Sequence, residues 1–343
     1  MKKLKFLLFL LLLSYSYCFS QVPDSVSSYV NETLDIMQKN SLYANRLDWS
    51  AIRDTVSKKV ATAKNNKEVE GALVWAFSQL KDKHGFYAGA DTFYRYIPVP
   101  AEPDRLSKGI KEEYQKPRSV KIKMLENQIA YYKMPAVLIG SNTKKMKEWA
   151  NILSDSLCKI ASKNPKAFII DLRMNNGGNS EPMHQTIKQL VGKKNRIYVA
   201  DSNLKIIKEK KNIEKDSAEI AYQQAGIPDR PCQLNSKIPV AVLIGQGTAS
   251  SGEIIALSFT TRHNTKLFGE RTAGVANATN GYQIQNKGYM LLSHLYVADA
   301  KKRVLSEEFI DPDVYVKSDD NYNEIEKDVT VQAAVKWLSQ KIK

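Results

Sequence analysis

Ile238-Pro-Val-Ala-Val-Leu-Ile244 is a short apolar run that stops at Gly245-Gln-Gly-Thr-Ala-Ser-Ser-Gly-Glu253 and resumes as the apolar stretch Ile254–Phe259. A run of this length, closed by turn residues, reads as a buried strand, and the stretch after the turn reads as a helix. A second unit repeats the pattern: Ala167-Phe-Ile-Ile170, then Asp171-Leu-Arg-Met-Asn-Asn-Gly-Gly178, then a helix from about Glu181. A buried strand that ends at Gly or Ser and restarts as a helix leaves backbone N–H groups unpaired at the helix N-terminus. Those donors, with the positive end of the helix dipole, stabilise an anion formed there. A serine at such a turn offers its hydroxyl to a site suited to a tetrahedral oxyanion.

Working outward, Val22 to about Phe93 is helical, with amphipathic stretches at Val26–Met37, Trp49–Val60 and Val69–Leu80. Pro98-Val-Pro-Ala-Glu-Pro103 breaks regular structure and marks a boundary. Beyond Val120 the pattern alternates: a strand at Ile129–Met134, a helix over Thr143–Ser162, then the two strand–turn–helix units with a lysine-rich helix, Ile206–Gln224, between them. Short strands follow at Tyr282–Gln285, Tyr289–Leu292 and Tyr296–Ala298, and Val329–Lys341 closes the chain as a helix. The expected organisation is a leader over 1–20, a helical domain over 21–117 and an α/β domain over 118–343.

The leader expectation rests on Lys2, Lys3 and Lys5, the unbroken apolar run Phe6–Leu13, and small residues at Cys18 and Ser20 before a cut near Gln21. The apolar run is too short to span a bilayer stably, so the mature chain is expected to be exported, periplasmic or extracellular, without a membrane span. A lipid anchor at Cys18 is disfavoured, because Tyr15 and Tyr17 are bulky where such sites want small residues. The net charge of +15 falls in solvated runs such as Lys205–Lys215, with no aromatic-interleaved basic motif, which argues for solubility and against nucleic acid. Of three cysteines, Cys158 and Cys232 remain after the leader; they read equally as a pair or as buried free thiols, and neither has metal-site spacing.

Several segments occur in the order found in tail-specific (C-terminal processing) serine proteases, which this chain resembles. They are Ile129-Ala-Tyr-Tyr-Lys-Met-Pro135, Asp171 to Gly178, Thr248-Ala-Ser-Ser-Gly-Glu253, Phe268-Gly-Glu-Arg-Thr-Ala-Gly274 and Asp311-Pro-Asp-Val-Tyr-Val316. Leu80-Lys-Asp-Lys-His84 is similar to the element that precedes that core. The resemblance implies a crotonase/ClpP-like spiral of β-β-α units behind a helical N-terminal segment, no cofactor, and a peptide or protein substrate. Two departures matter. About 35 residues separate His84 from Val120, too few for an inserted PDZ domain. The position of the lysine in Ser–Lys members falls near Val275, and Arg271-Thr-Ala-Gly-Val-Ala-Asn277 contains none. What remains resembles the tricorn-core and retinoid-binding-protein branch, in which a histidine from the early element is the base.

Read from the residues alone, Ser250 is either an N-cap, with Glu253 completing a capping box, or a nucleophile. The resemblance implies the nucleophile, with Ser251 as fallback. His84 is the base it implies, imidazole being an unaided acceptor near neutrality. Of the four histidines, His184 is the runner-up, early in the helix after Gly178, while His263 reads as solvated and His294 lies among the late strands. Glu307 or Glu308 falls near the tricorn-like acidic partner, with Ser306 equally placed and Asp82 another option. Gly177 and Ser251 are the oxyanion donors, Gly178 is the alternative to Gly177, and both glycines also read as residues serving φ > 0. Asp171 and Arg173 read as an ion pair supporting the loop. The function that follows is an exported serine peptidase with a Ser–His(–acid) mechanism and no metal. The rival is a non-catalytic binder of apolar ligands or peptide tails on the same scaffold, and a crotonase-like acyl-CoA enzyme is disfavoured by export.

Overall fold

The computed structural model describes residues 22–99, 104–192, 194–207 and 217–342. The expected leader, with Cys18, and the middle of the lysine-rich segment lie outside the described residues. The chain divides into two compact units, one of residues up to Tyr96 with Gly281–Leu292, the other of Ile97–Asn280 with Ser293–Lys343.

In the first unit, helices α1 (Asp24–Asn40), α2 (Trp49–Val60) and α3 (Asn66–Gln79) are followed by strands β1 (Phe86–Ala88) and β2 (Phe93–Tyr94). Asp48 and Asn65 start α2 and α3 by accepting two backbone N–H groups each, which satisfies donors that a helix cannot pair internally. The apolar stripes read from the sequence meet as one core of Tyr29, Leu34, Met37, Val56, Leu73 and Phe77. β1 lies antiparallel to β2 and to Tyr289–Leu291, with Tyr87 opposite Met290.

The second unit begins with α4 (Lys108–Tyr114), β3 (Lys121–Leu125), β4 (Ile129–Lys133), α5 (Thr143–Ala161), β5 (Ala167–Asp171), α6 (Ser180–Val191), β6 (Tyr198–Ala200) and α7 (Ser217–Ala225). It continues with β7 (Val240–Ile244), α8 (Ser251–Phe259) and β8 (Thr265–Gly269). β9 (Ala278–Ile284) and β10 (Gly288–Ala298) each contain residues of both units, and β11 (Val314–Tyr315) and α9 (Val329–Lys341) end the chain. The six-stranded sheet has the order β11-β8-β7-β5-β4-β3. All its pairs are parallel except the β3–β4 pair. Parallel strands bury both faces, and period-2 alternation sorts their side chains. Phe168, Ile170, Val240, Val242 and Ile244 join one core with residues of α5, α6 and α8. Ile169, Ala241 and Leu243 join the other with Val331, Ala334 and Leu338 of α9. The α/β class and the helical N-terminal segment expected from sequence are both present.

Some expectations need correction. Ile206 forms a bridge to Ala200 instead of opening a helix, because Asp201 accepts the Asn203 and Lys205 N–H groups and turns the chain back. The described helix there is α7. Tyr289–Leu292 and Tyr296–Ala298 are one strand, β10, not two. Cys158 and Cys232, left open between a pair and free thiols, form a disulfide with Cα atoms 5.2 Å apart.

Candidate active site

β5 and β7 are adjacent, with Asp171 opposite Leu243, so the loops that leave their C-terminal ends are neighbours. Thr248 ties them together: its buried hydroxyl donates to Leu172 O at 2.9 Å and accepts the Gly245 N–H at 3.1 Å. Ala249 N–H donates to Asn175 O at 3.0 Å. Asn175, fully buried, donates from Nδ2 to Pro135 O and accepts the Gly177 N–H on Oδ1 at 3.2 Å.

Ser250 stands at the head of α8 with φ 54° and ψ −121°, left-handed backbone that a residue with a Cβ rarely adopts. Such a conformation costs of order 1–3 kcal/mol and persists where its surroundings over-determine it. Gly177 lies directly against it: a Cβ on Gly177 would stand 2.7 Å from Ser250 Cβ and 3.2 Å from Ser250 Oγ. At Gly178 a Cβ would meet Val137 O at 2.1 Å, and both glycines have φ 104°. Ser251 Oγ donates to Gly178 O at 2.7 Å. Ser250, Ser251, Gly177 and Gly178 are thus one cluster. Among the described residues no partner engages the N–H of Gly178 or of Ser251, whereas that of Gly177 is taken by Asn175.

Sequence reading saw Glu253 only as half of a capping box. Its buried carboxylate accepts the Ser250 N–H at 2.8 Å, but also the Gly274 and Val275 N–H groups at 2.9 and 3.0 Å and the Thr272 hydroxyl. Burial pushes its pKa up to about 7, with the four donors pulling the other way. Three of the four donors lie 19 to 22 residues further along the chain, so no local pattern announces them.

Glu308 sits beside this strap: its carbonyl accepts the Ala276 N–H at 3.1 Å, with its own φ at 67°. Glu307 and Ser306 are exposed. Asp171 and Arg173 are paired at 2.7 Å, both buried, and Arg173 also pairs with Asp328 at 2.8 Å. The guanidinium holds the Asp171 carboxyl below its usual range against the opposing effect of burial.

His84 belongs to the first unit, in the turn before β1. Asp82, fully buried, fixes that turn by accepting the N–H groups of His84 and Gly85 on Oδ1 at 3.0 and 2.8 Å. His184 lies on α6, where burial lowers its pKa; it lines a cavity of about 460 Å³ with Ile254 and Ile255. His263 accepts the Asn264 N–H on Nδ1, and His294 lies on β10. Among the described residues no group of His, Cys, Asp and Glu could hold a metal ion, and no helix is long and apolar enough to cross a membrane.

Residues 128–316 match peptidase family S41. The nisin-resistance protein of Lactococcus lactis subsp. lactis is 25% identical over 338 residues, 98% of this chain and 95% of that protein. Among solved structures, a lipoprotein from Streptococcus agalactiae superposes with a TM-score of 0.68 at 22% identity, over 93% of this chain and 98% of that one. A photosystem II D1 C-terminal processing protease does so with a TM-score of 0.56 at 12% identity, over 86% and 94%.

Proposed function

The chain belongs to peptidase family S41, and on that premise we propose that it is an exported serine peptidase working through Ser250, with His84 as general base. In this reading Ser250 Oγ attacks the scissile carbonyl, and the His84 imidazole takes its proton and returns it to the leaving amine. The N–H groups of Gly178 and Ser251 hold the oxyanion. Gly178 replaces Gly177 in that role because the Gly177 N–H already serves Asn175. Glu308 is the preferred acid to orient the imidazole over exposed Glu307, since its backbone joins the strap that Glu253 ties to Ser250.

The observation that carries the reading is the strained Ser250 backbone at a helix N-terminus, pressed against Gly177. Export is supported by the leader pattern and by the disulfide, which belongs to oxidising compartments. The name of the nisin-resistance relative makes nisin the first peptide to assay.

Hydrolysis of nisin and of peptides with apolar C-termini, together with covalent labelling by a fluorophosphonate, tests the reading on wild type, Ser250→Ala and His84→Ala. Labelling is expected to vanish in Ser250→Ala, and turnover to fall on the order of 10⁶-fold in either variant. Undiminished hydrolysis by Ser250→Ala sinks the assignment. Folded wild type that neither labels nor hydrolyses points instead to a non-catalytic binder of apolar ligands or peptide tails.

A further inference from the structure

We propose that Glu253 is a positioning residue, whose buried carboxylate clamps the main chain of Ser250 to the strap Thr272–Val275 and so holds the nucleophile in its attacking conformation. The proposal rests on Ser250 being the nucleophile. A capping box needs one bond from the Glu side chain, to the N-cap N–H. Here both oxygens are used twice: Oε2 accepts from Ser250 and Val275, Oε1 from Gly274 and the Thr272 hydroxyl. Thr272 is itself fixed, since its hydroxyl accepts the Ile310 N–H at 2.8 Å and its N–H donates to Ile310 O at 3.1 Å. Ala273 N–H reaches back to Thr248 O at 3.0 Å. The strap is thereby bound to the nucleophile turn at both ends.

The four donors favour an anion at the centre, since three of them are backbone N–H groups that cannot reverse, while burial opposes it, so the clamp is complete only above a pKa of about 7. The largest influences on the carboxylate are burial and these four donors. A neutral amide in its place turns two N–H hydrogens toward groups that already donate. Released from Glu253, the Ser250 N–H loses the bond that opposes relaxation of its φ, and the hydroxyl shifts with the backbone. A displacement near 1 Å at a reacting group costs about 100-fold in rate.

The test combines a readout that needs no catalysis with one that does. The backbone amide resonances of Ser250, Gly274 and Val275 are followed from pH 5 to pH 9 in the full-length protein. Labelling of Ser250 by a fluorophosphonate, and kcat and KM on a peptide substrate, are measured for wild type, Glu253→Gln and Thr272→Val. Expected are three amides titrating together in wild type, no common titration in Glu253→Gln, and a kcat about 100-fold lower there with KM within a few-fold. Thr272→Val, which removes one of four bonds, should lose activity in the same direction but less, and it carries the test if Glu253→Gln does not fold. Amides that titrate independently, or variants that label and turn over as wild type does, overturn the clamp. Amides that titrate together in a wild type that is never labelled refute the nucleophile and leave the clamp standing.

Discussion

Glu253 carries a linkage between pH and stability whose sign follows from its surroundings. Its pKa is about 7 in the folded chain against 4.5 in the unfolded one, because burial outweighs the four donors. Between those values the folded state holds a proton that the unfolded state has released, so stability falls as pH rises through that window. The difference corresponds to something on the order of 3 kcal/mol. Calorimetric melting at pH 5 and pH 8 should therefore show a larger loss for wild type than for Glu253→Gln; equal losses would place the proton elsewhere. The same residue shows what sequence alone conveys at this scale. Ser250, Ser251, Gly177 and Gly178 were legible because each sits where a strand ends and a helix begins, a local signal. Glu253 was legible only as a cap, since three of its four donors come from a strap that is distant in sequence. Asn175 was missed for a related reason: an Asn pair ahead of two glycines reads as turn residues, and only the fold shows Asn175 receiving Ala249 from the other loop.

At the level of elements, long periodic segments were read well and short ones poorly. α1 to α3, β4, α5, β5, β7 and α9 carry uninterrupted apolar patterns and appear where those patterns place them. β1 and α4 are held by partners from far along the chain, β1 by Tyr289–Leu291 and α4 where the Lys108 N–H donates to Asp320 at its start, and propensity says little about them. Val329–Lys341 was legible as a helix, but its anchoring was not. Asp328 caps it by accepting the Thr330 and Val331 N–H groups, and the same carboxylate pairs with Arg173 in the loop after β5. Arg173 stacks over Tyr322 as well, 4.8 Å from the ring centre. Asp328→Ala removes the cap and leaves Arg173, which is 2% exposed, with Asp171 as its carboxylate partner. The expected loss is about 3 kcal/mol, measurable as a shift in the urea midpoint. Asp328→Asn should recover part of it, since the amide keeps the cap and loses the charge; identical losses in the two variants would assign the whole effect to the ion pair with Arg173.

For the molecule as a whole, the feature with the widest reach is the Cys158–Cys232 bond, which closes a loop with a sequence separation of 74 residues. That loop contains β5, the Gly177–Gly178 turn, α6 and α7, and hence one of the two walls of the candidate site. Cross-linking a loop of this size removes chain entropy from the unfolded state worth about 4 kcal/mol, and sequence reading could not choose between pair and free thiols because the partners are far apart in sequence and only the fold brings them together. The covalent link is not alone. Asn151 and Asp229 exchange bonds at 2.7 and 2.8 Å, Ser154 Oγ donates to Arg230 O at 2.9 Å, and Tyr222 Oη meets Asn179 Nδ2 at 2.7 Å. These bonds keep the segment seated when the disulfide is open, so the bond acts chiefly on the unfolded state. A double Cys158→Ser, Cys232→Ser variant should accordingly unfold at lower denaturant, by about 4 kcal/mol, while Ser250 in the folded variant at low temperature reacts with a fluorophosphonate as wild type does. An unchanged midpoint would mean that the entropic account is wrong. A midpoint that falls together with native-state labelling would mean that the cross-link shapes the Gly177–Gly178 wall directly, beyond its effect on the unfolded chain.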